Sequence, residues 1–157
     1  FEEPISPDDH LGLAEVRRST IIPIATGERE FTRFDFDDLF FHRSVDIAQP
    51  DIARAGGFTE IRRIGSMASA KGIRLAPHAW GSGVLFAASI HMAMSAPNCH
   101  ILEVSQGYMP MMYELFEEPY DIREGVVYAP QKPGLGFTLR EEALKRFEYI
   151  PGPEYIF

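Results

Sequence analysis

Gly72-Ile73-Arg74-Leu75-Ala76-Pro77-His78-Ala79-Trp80-Gly81-Ser82-Gly83 is a short apolar run that ends on a histidine and then breaks into glycine. Five or six such residues after a glycine read as a buried strand, and the Pro-His-Ala-Trp-Gly exit reads as the loop that leaves its C-terminal end. His78 therefore stands at a strand mouth. Taken alone, a histidine there is as readily a strand cap bonded to a neighbouring carbonyl as a reactive group.

Four further stretches end in the same way, each placing a carboxylate where an apolar run gives out. They are Phe1-Glu2-Glu3-Pro4, Ile22 to Glu28, Val45 to Asp51, and His100-Ile101-Leu102-Glu103. Positions 2, 28, 51, 78 and 103 are separated by 26, 23, 27 and 25 residues. Successive strand-helix units of an eight-fold barrel need about 30 residues each, and their strand C-termini converge on one face. The spacing predicts an α/β chain, part of a (β/α)-barrel, with Glu2, Glu28, Asp51, His78 and Glu103 gathered at one mouth.

Between these points the pattern alternates. Ser6-Pro7-Asp8-Asp9 offers an N-cap, a proline for the first helical position and acids for the first turn of a helix running to about Arg18. Ile21 to Thr26 reads as a buried strand. Phe31 to Phe41 reads as an amphipathic helix that packs Phe31, Phe34, Leu39 and Phe40 on the sheet and leaves Asp35, Asp37 and Asp38 in solvent. Val45 to Ala48 is the next strand, Gly56-Gly57 a loop, and Thr59 to Ala70 a helix whose Ile61, Ile64, Met67 and Ala68 share a face. Gly81-Ser82-Gly83 lacks the lysine-bearing phosphate signature and is read as a tight loop. Val84 to Met94 is nearly all apolar, a helix buried on several sides with His91 in the core or at an interface. His100 to Val104 is the last strand of the periodic part.

After residue 108 the period stops. Met109 to Phe116 is Met-rich and apolar, Asp121 to Gly136 is rich in Pro and Gly with one short strand at Val126 to Tyr128, and Arg140 to Phe147 is a short helix. Residues 1–108 are thus expected to form the partial barrel, and 109–157 an irregular tail that wraps against something else.

The chain has 157 residues, 45% of them hydrophobic, which suits one soluble domain but not a whole barrel. It is expected to be the C-terminal part of a longer protein or one piece of a split one. Fifteen basic against twenty-three acidic residues give a net charge of −8, which argues against nucleic acid as a partner. Cys99 is the single cysteine, so no disulfide framework or cysteine zinc site is available, and a cytoplasmic location with Cys99 as a small buried group is expected. The apolar run from Gly83 to Ala96 is too short to span a membrane.

The residues together resemble the mandelate racemase branch of the enolase superfamily, within the mandelate racemase/muconate lactonizing enzyme family. Glu2-Glu3-Pro4, Thr26-Gly27-Glu28, Gln49-Pro50-Asp51 with Gly56-Gly57, Ala76-Pro77-His78, Ile101-Leu102-Glu103 and Pro130 to Gly136 carry the resemblance, in order and over nearly the whole chain. It implies about strands four to eight of a TIM-like barrel plus the tail. It further implies Glu2 and Glu28 as two of three carboxylates that hold Mg²⁺, His78 as the acid/base, Asp51 as its hydrogen-bonded partner, and Glu103 as the acid beside the substrate carboxylate. The third metal ligand, the basic residues of the second strand and an N-terminal cap domain would lie upstream of Glu2. A homo-oligomer is implied for the complete protein.

The chemistry of these groups is consistent with that implication. Removing a proton next to a carboxylate builds an enediolate, whose charge a hard cation on oxygen ligands can stabilise. A histidine oriented by a carboxylate can exchange a proton near neutral pH. Acid-sugar dehydration is the expected reaction, with racemisation, epimerisation or cycloisomerisation as the alternative. A glycosidase barrel also needs two carboxylates, but it gives no reason for the His78 and Asp51 pair. A non-enzymatic half-barrel is the remaining rival.

Overall fold

The computed structural model of the chain describes residues 1–152, so the last five residues of the expected tail lie outside the described part. Three short parallel strands, β1 (Ala25–Thr26), β2 (Ile47–Ala48) and β3 (Arg74–Leu75), lie in the order β1-β2-β3. Their register runs Ala25 to Ile47 to Arg74 and Thr26 to Ala48 to Leu75. Two parallel bridges extend this sheet: Glu2 pairs with Ala25 on one side and Cys99 with Leu75 on the other. Five parallel segments therefore follow one another in chain order, as in an arc of a (β/α)-barrel.

Helices fill the intervals: α1 (His10–Arg18), α2 (Thr32–Phe41), α3 (Gly57–Ala70) and α4 (Gly83–Ser95). Asp9 caps α1, its carboxylate accepting from the Gly12 N–H at 2.8 Å. Ser6 does not cap it, because Ser6 to Asp9 close a turn through Asp9 N–H and the Ser6 carbonyl at 3.1 Å, and Pro7 lies in that turn. Ser82 caps α4 through its hydroxyl and the Leu85 N–H at 3.3 Å. Gly56 and Gly57 both have φ in the left-handed region, 106° and 75°, which explains the paired glycines at the start of α3.

The main core lies between the sheet and α2, α3 and α4. Phe36, Leu39 and Phe40 meet Ile61, Ile64 and Ala68 there, with Ala48 and Leu75 from the strands. The expected phase of α2 is corrected: Phe36 is fully buried, whereas Phe31 and Phe34 are 57% and 68% exposed. Apolar residues lie on both sides of this helix, so no single stripe marks its inner face. Phe36→Ala is expected to cost about 3–5 kcal/mol and Phe34→Ala less than about 1 kcal/mol, read from denaturant midpoints. Phe34 is largely in solvent and has Arg33 over its ring, 4.5 Å from the centroid.

The strand expectations shrink, the one over Val45 to Ala48 becoming Ile47–Ala48. Ile21 and Ile22 are exposed and lie in a bend, and only Ala25 and Thr26 form β1. The last strand contracts to a bridge at Cys99, before the expected start at His100, and Ile101 is exposed. Cys99 itself is half-buried at the edge of the core, and burial pushes its thiol pKa up.

Beyond the arc, α5 (Pro110–Tyr113), the antiparallel hairpin β4 (Ile122–Arg123) and β5 (Val126–Val127), and α6 (Glu141–Arg146) form the tail. Helix α4 is buried on several sides. Leu85, Ala88 and Met92 face the main core, Phe86 and Ile90 face Met112, and Ala87 faces Leu115, Phe116 and Ala143. His91 Nε2 lies 3.0 Å from the Leu135 carbonyl, so it ties α4 to the tail. The Tyr120 hydroxyl reaches the carbonyls of Gly83 at 3.1 Å and Met112 at 3.0 Å, and a Cβ on Gly83 would come within 2.9 Å of both Tyr120 Oη and Met112 O. No helix among the described residues is long and apolar enough to cross a membrane.

Candidate active site

Four of the five residues follow a parallel segment at its C-terminal end, and the fifth lies within one. Glu28 comes two residues after β1, Asp51 three after β2, His78 three after β3 and Glu103 four after the Cys99 bridge, while Glu2 is itself a bridge residue. Because the strands are parallel, all five exits lie on the same side of the sheet.

Asp51 is the best-anchored member. Its Oδ1 accepts from the N–H groups of Ala53 at 2.7 Å and Arg54 at 3.2 Å, and its Oδ2 lies 2.7 Å from His78 Nδ1. Only 3% of the residue is exposed. Burial works against the charged carboxylate, but the bonds from His78, Ala53 and Arg54 outweigh it, so the pKa of Asp51 is lowered. A carboxylate on Nδ1 puts a ring proton there and leaves Nε2 to face the site.

His78 Nε2 points toward Glu28, whose Oε2 is 3.6 Å away. Burial disfavours the imidazolium, yet the Asp51 bond and the charges of Glu28 and Glu103 prevail, and the pKa of His78 is raised. Glu103 also steadies the backbone beside the histidine: its Oε2 accepts from the Ala79 N–H at 2.8 Å. His78, Asp51, Glu28 and Glu103 thus form one constellation.

Glu28 is presented by a tight turn. Gly27 sits at φ 131°, and a Cβ there would lie 2.9 Å from Phe36 Cε1 and 3.1 Å from the Gln49 nitrogen. Glycine is what allows the chain to turn so close to α2 and β2.

Glu2 is exposed at the mouth, and its neighbour Glu3 is drawn inward. Glu3 accepts from the Thr26 hydroxyl at 3.3 Å and lies 3.9 Å from Arg29 Nε. Burial, then the charge of Glu28, raises the pKa of Glu3 against the opposing pull of Arg29 and Thr26. Glu3 was not singled out from the sequence, although the tandem Glu2-Glu3 was its signal. Among the described residues no three His, Cys, Asp or Glu side chains are grouped so as to hold a metal ion. Glu2 and Glu28 are carboxylates, the hard oxygen donors that suit Mg²⁺, and their charges add to burial in raising the pKa of Glu3 beside them.

The family model described as "Enolase C-terminal domain-like" matches residues 1–143. The chain belongs to this family. Among curated relatives it is 36% identical to a D-galactarolactone cycloisomerase of Agrobacterium fabrum over 98% of this chain. It is 34% identical to an arabinonate dehydratase of Saccharolobus solfataricus over 94%, and 33% identical to a D-galactonate dehydratase of Xanthomonas campestris over 96%. The chain spans between 39% and 42% of the length of these relatives. Among solved structures, a mandelate racemase/muconate lactonizing enzyme from Jannaschia sp. CCS1 matches with a TM-score of 0.88 and 38% identity over 98% of this chain and 39% of that one. A 3,6-anhydro-D-galactonate cycloisomerase from Zobellia galactanivorans gives 0.87 and 34% over 94% and 42%. The resemblance to the mandelate racemase/muconate lactonizing enzymes is therefore a relationship of both sequence and fold, and the α/β arc is the C-terminal part of their barrel.

Proposed function

We propose that this enolase-family chain carries the acid/base half of an acid-sugar dehydratase. The observation that carries this reading is His78 itself, fixed on Asp51 at 2.7 Å and facing Glu28 with its other nitrogen. Relatives named galactonate and arabinonate dehydratase support the substrate class.

The reaction transfers the C2 proton of a sugar acid, α to its carboxylate, to a base, which is His78 or a basic residue outside this chain according to the configuration at C2, and expels the 3-hydroxyl; the resulting enol tautomerises to a 2-keto-3-deoxy acid. A hydroxyl is a poor leaving group and needs a proton. His78 as imidazolium gives that proton from Nε2, and Asp51 stabilises the charged ring and holds it in place. Glu103, whose Oε2 accepts from the Ala79 N–H, is the acid we assign beside the substrate carboxylate, where in its protonated form it would donate a hydrogen bond to the charge that develops. Glu2 and Glu28 would hold Mg²⁺ together with a carboxylate from outside this chain. When bound, the ion supplies charge stabilisation to the carboxylate as the α-proton leaves. In the whole protein Glu28→Gln is expected to weaken Mg²⁺ binding, read by calorimetry, and undiminished affinity would remove Glu28 from the ligand set.

The cycloisomerases among the relatives favour a second reading, in which the same half-site serves ring opening or closure of a sugar-acid derivative. Racemisation or epimerisation at C2 is a further outcome. We assign residues 1–108 to the barrel part and the tail, described to residue 152, to packing on the barrel and on a cap domain, in a cytoplasmic homo-oligomer. The deciding experiment screens the whole protein against a panel of acid sugars and their lactones, with a keto-acid assay and NMR of the products. Keto acid from a linear sugar acid supports dehydration, whereas conversion of lactones alone hands the case to cycloisomerisation.

A further inference from the structure

Away from His78 the molecule holds a second histidine gripped by two carboxylates. His10, the first residue of α1, places Nδ1 2.6 Å from Asp38 Oδ2 on α2 and Nε2 3.1 Å from Glu30 Oε1 in the loop between β1 and α2. Ionised carboxylates have no proton to give, so the ring serves both partners only as the doubly protonated cation. The His10 and Glu30 side chains are 14% and 11% exposed, which sets this pair apart from a solvated surface contact.

Burial disfavours a charged His10, but the bonds from Asp38 and Glu30 override it and raise its pKa. Asp35 and Asp8 add negative charge around Glu30, and His42 Nε2 lies 3.5 Å from Asp38 Oδ1. The His10 backbone is held as well, its carbonyl accepting from the Ser44 hydroxyl at 2.7 Å.

Glu30 closes the turn that carries Glu28, its N–H donating to the Gly27 carbonyl at 3.2 Å. At one end of that turn Gly27 is wedged against Phe36 and the Gln49 backbone. At the other end Glu30 is clipped by His10. We propose that His10 is a positioning residue for Glu28: through Glu30 it ties the Gly27 to Glu30 turn to α1 and α2 and so fixes where the Glu28 carboxylate points. The inference rests on the role proposed above for Glu28 in holding Mg²⁺.

The test uses the whole protein with His10→Ala, Glu30→Ala and the double variant, since a glutamine at either position could still bond the other partner. Calorimetry with Mg²⁺ alone should show affinity falling about 10–100-fold in each single variant, the range seen when partners that orient metal ligands are removed. Because both changes break one link, the double variant should lose no more than either single one. Hydrogen exchange at the amides of residues 28–31 should quicken, with the sheet unchanged. Unchanged exchange in both single variants overturns the proposal whatever the metal does. So does unchanged Mg²⁺ affinity in a protein whose wild type binds the ion. A wild type that binds no Mg²⁺ removes the reading of Glu28 itself, and the exchange data still decide whether His10 holds the turn. Should His10→Ala fail to fold, Glu30→Ala breaks the same link from the other side.

Discussion

Replacing His78 with asparagine in the whole protein is expected to lower kcat on the preferred acid sugar by about 10²–10⁴-fold, the range that general acid-base catalysis supplies. Asparagine is polar and of similar reach, and its amide can still contact Asp51 Oδ2, which now lies 2.7 Å from the ring. It cannot carry a proton to a departing hydroxyl. The metal side should notice less, because His78 Nε2 is 3.6 Å from Glu28 and is no ligand in the proposed site. Mg²⁺ affinity within about threefold of wild type, together with lost turnover, isolates the proton transfer as the missing step. A variant that dehydrates at the wild-type rate would take His78 out of the mechanism.

Much of this site was legible because it is periodic. A polar residue at the end of each apolar run, recurring at 23 to 27 residues, needs no contact information to predict a shared barrel mouth. His78, Asp51, Glu28 and Glu103 could be named on that ground alone. Glu3, Glu30 and His10 could not. Glu3 lies beside the periodic position, and its inward placement depends on a backbone at φ 38°. His10 and Glu30 are brought together across 20 residues by the packing of α1 against the β1–α2 loop, which no local spacing encodes. The phase of α2 failed for another reason. Six phenylalanines and leucines in eleven residues surround the helix, and the core selects Phe36, Leu39 and Phe40 only through the shape of α3 opposite. The strands came out short because only two residues of each satisfy the ladder in register, although the runs that frame them are longer.

Asp51→Asn is expected to be nearly as damaging to turnover as the loss of His78, while leaving the fold in place. Asparagine keeps an oxygen at the Oδ1 position, so the bonds from Ala53 and Arg54 N–H at 2.7 and 3.2 Å survive and the turn after β2 stays formed. What changes is the atom facing His78 Nδ1. An amide NH₂ there is a donor, so it favours the tautomer with the proton on Nε2 and a bare Nδ1, the reverse of the wild-type arrangement. It also withdraws the charge that, with Glu28 and Glu103, raises the pKa of His78 against burial, so a smaller fraction of the ring is imidazolium at neutral pH. In the serine-protease template an equivalent change costs about 10⁴-fold in kcat with geometry intact. Asp51→Ala should add a loss of stability of about 1–3 kcal/mol, since two backbone donors in a buried turn lose their acceptor. The comparison separates the two duties of the side chain. Equal thermal stability of wild type and Asp51→Asn with a large fall in kcat supports orientation and charge as its role, and a pH optimum displaced to more acid values should accompany it. If instead Asp51→Asn turns over normally, the carboxylate only caps the turn, and His78 finds its tautomer without help.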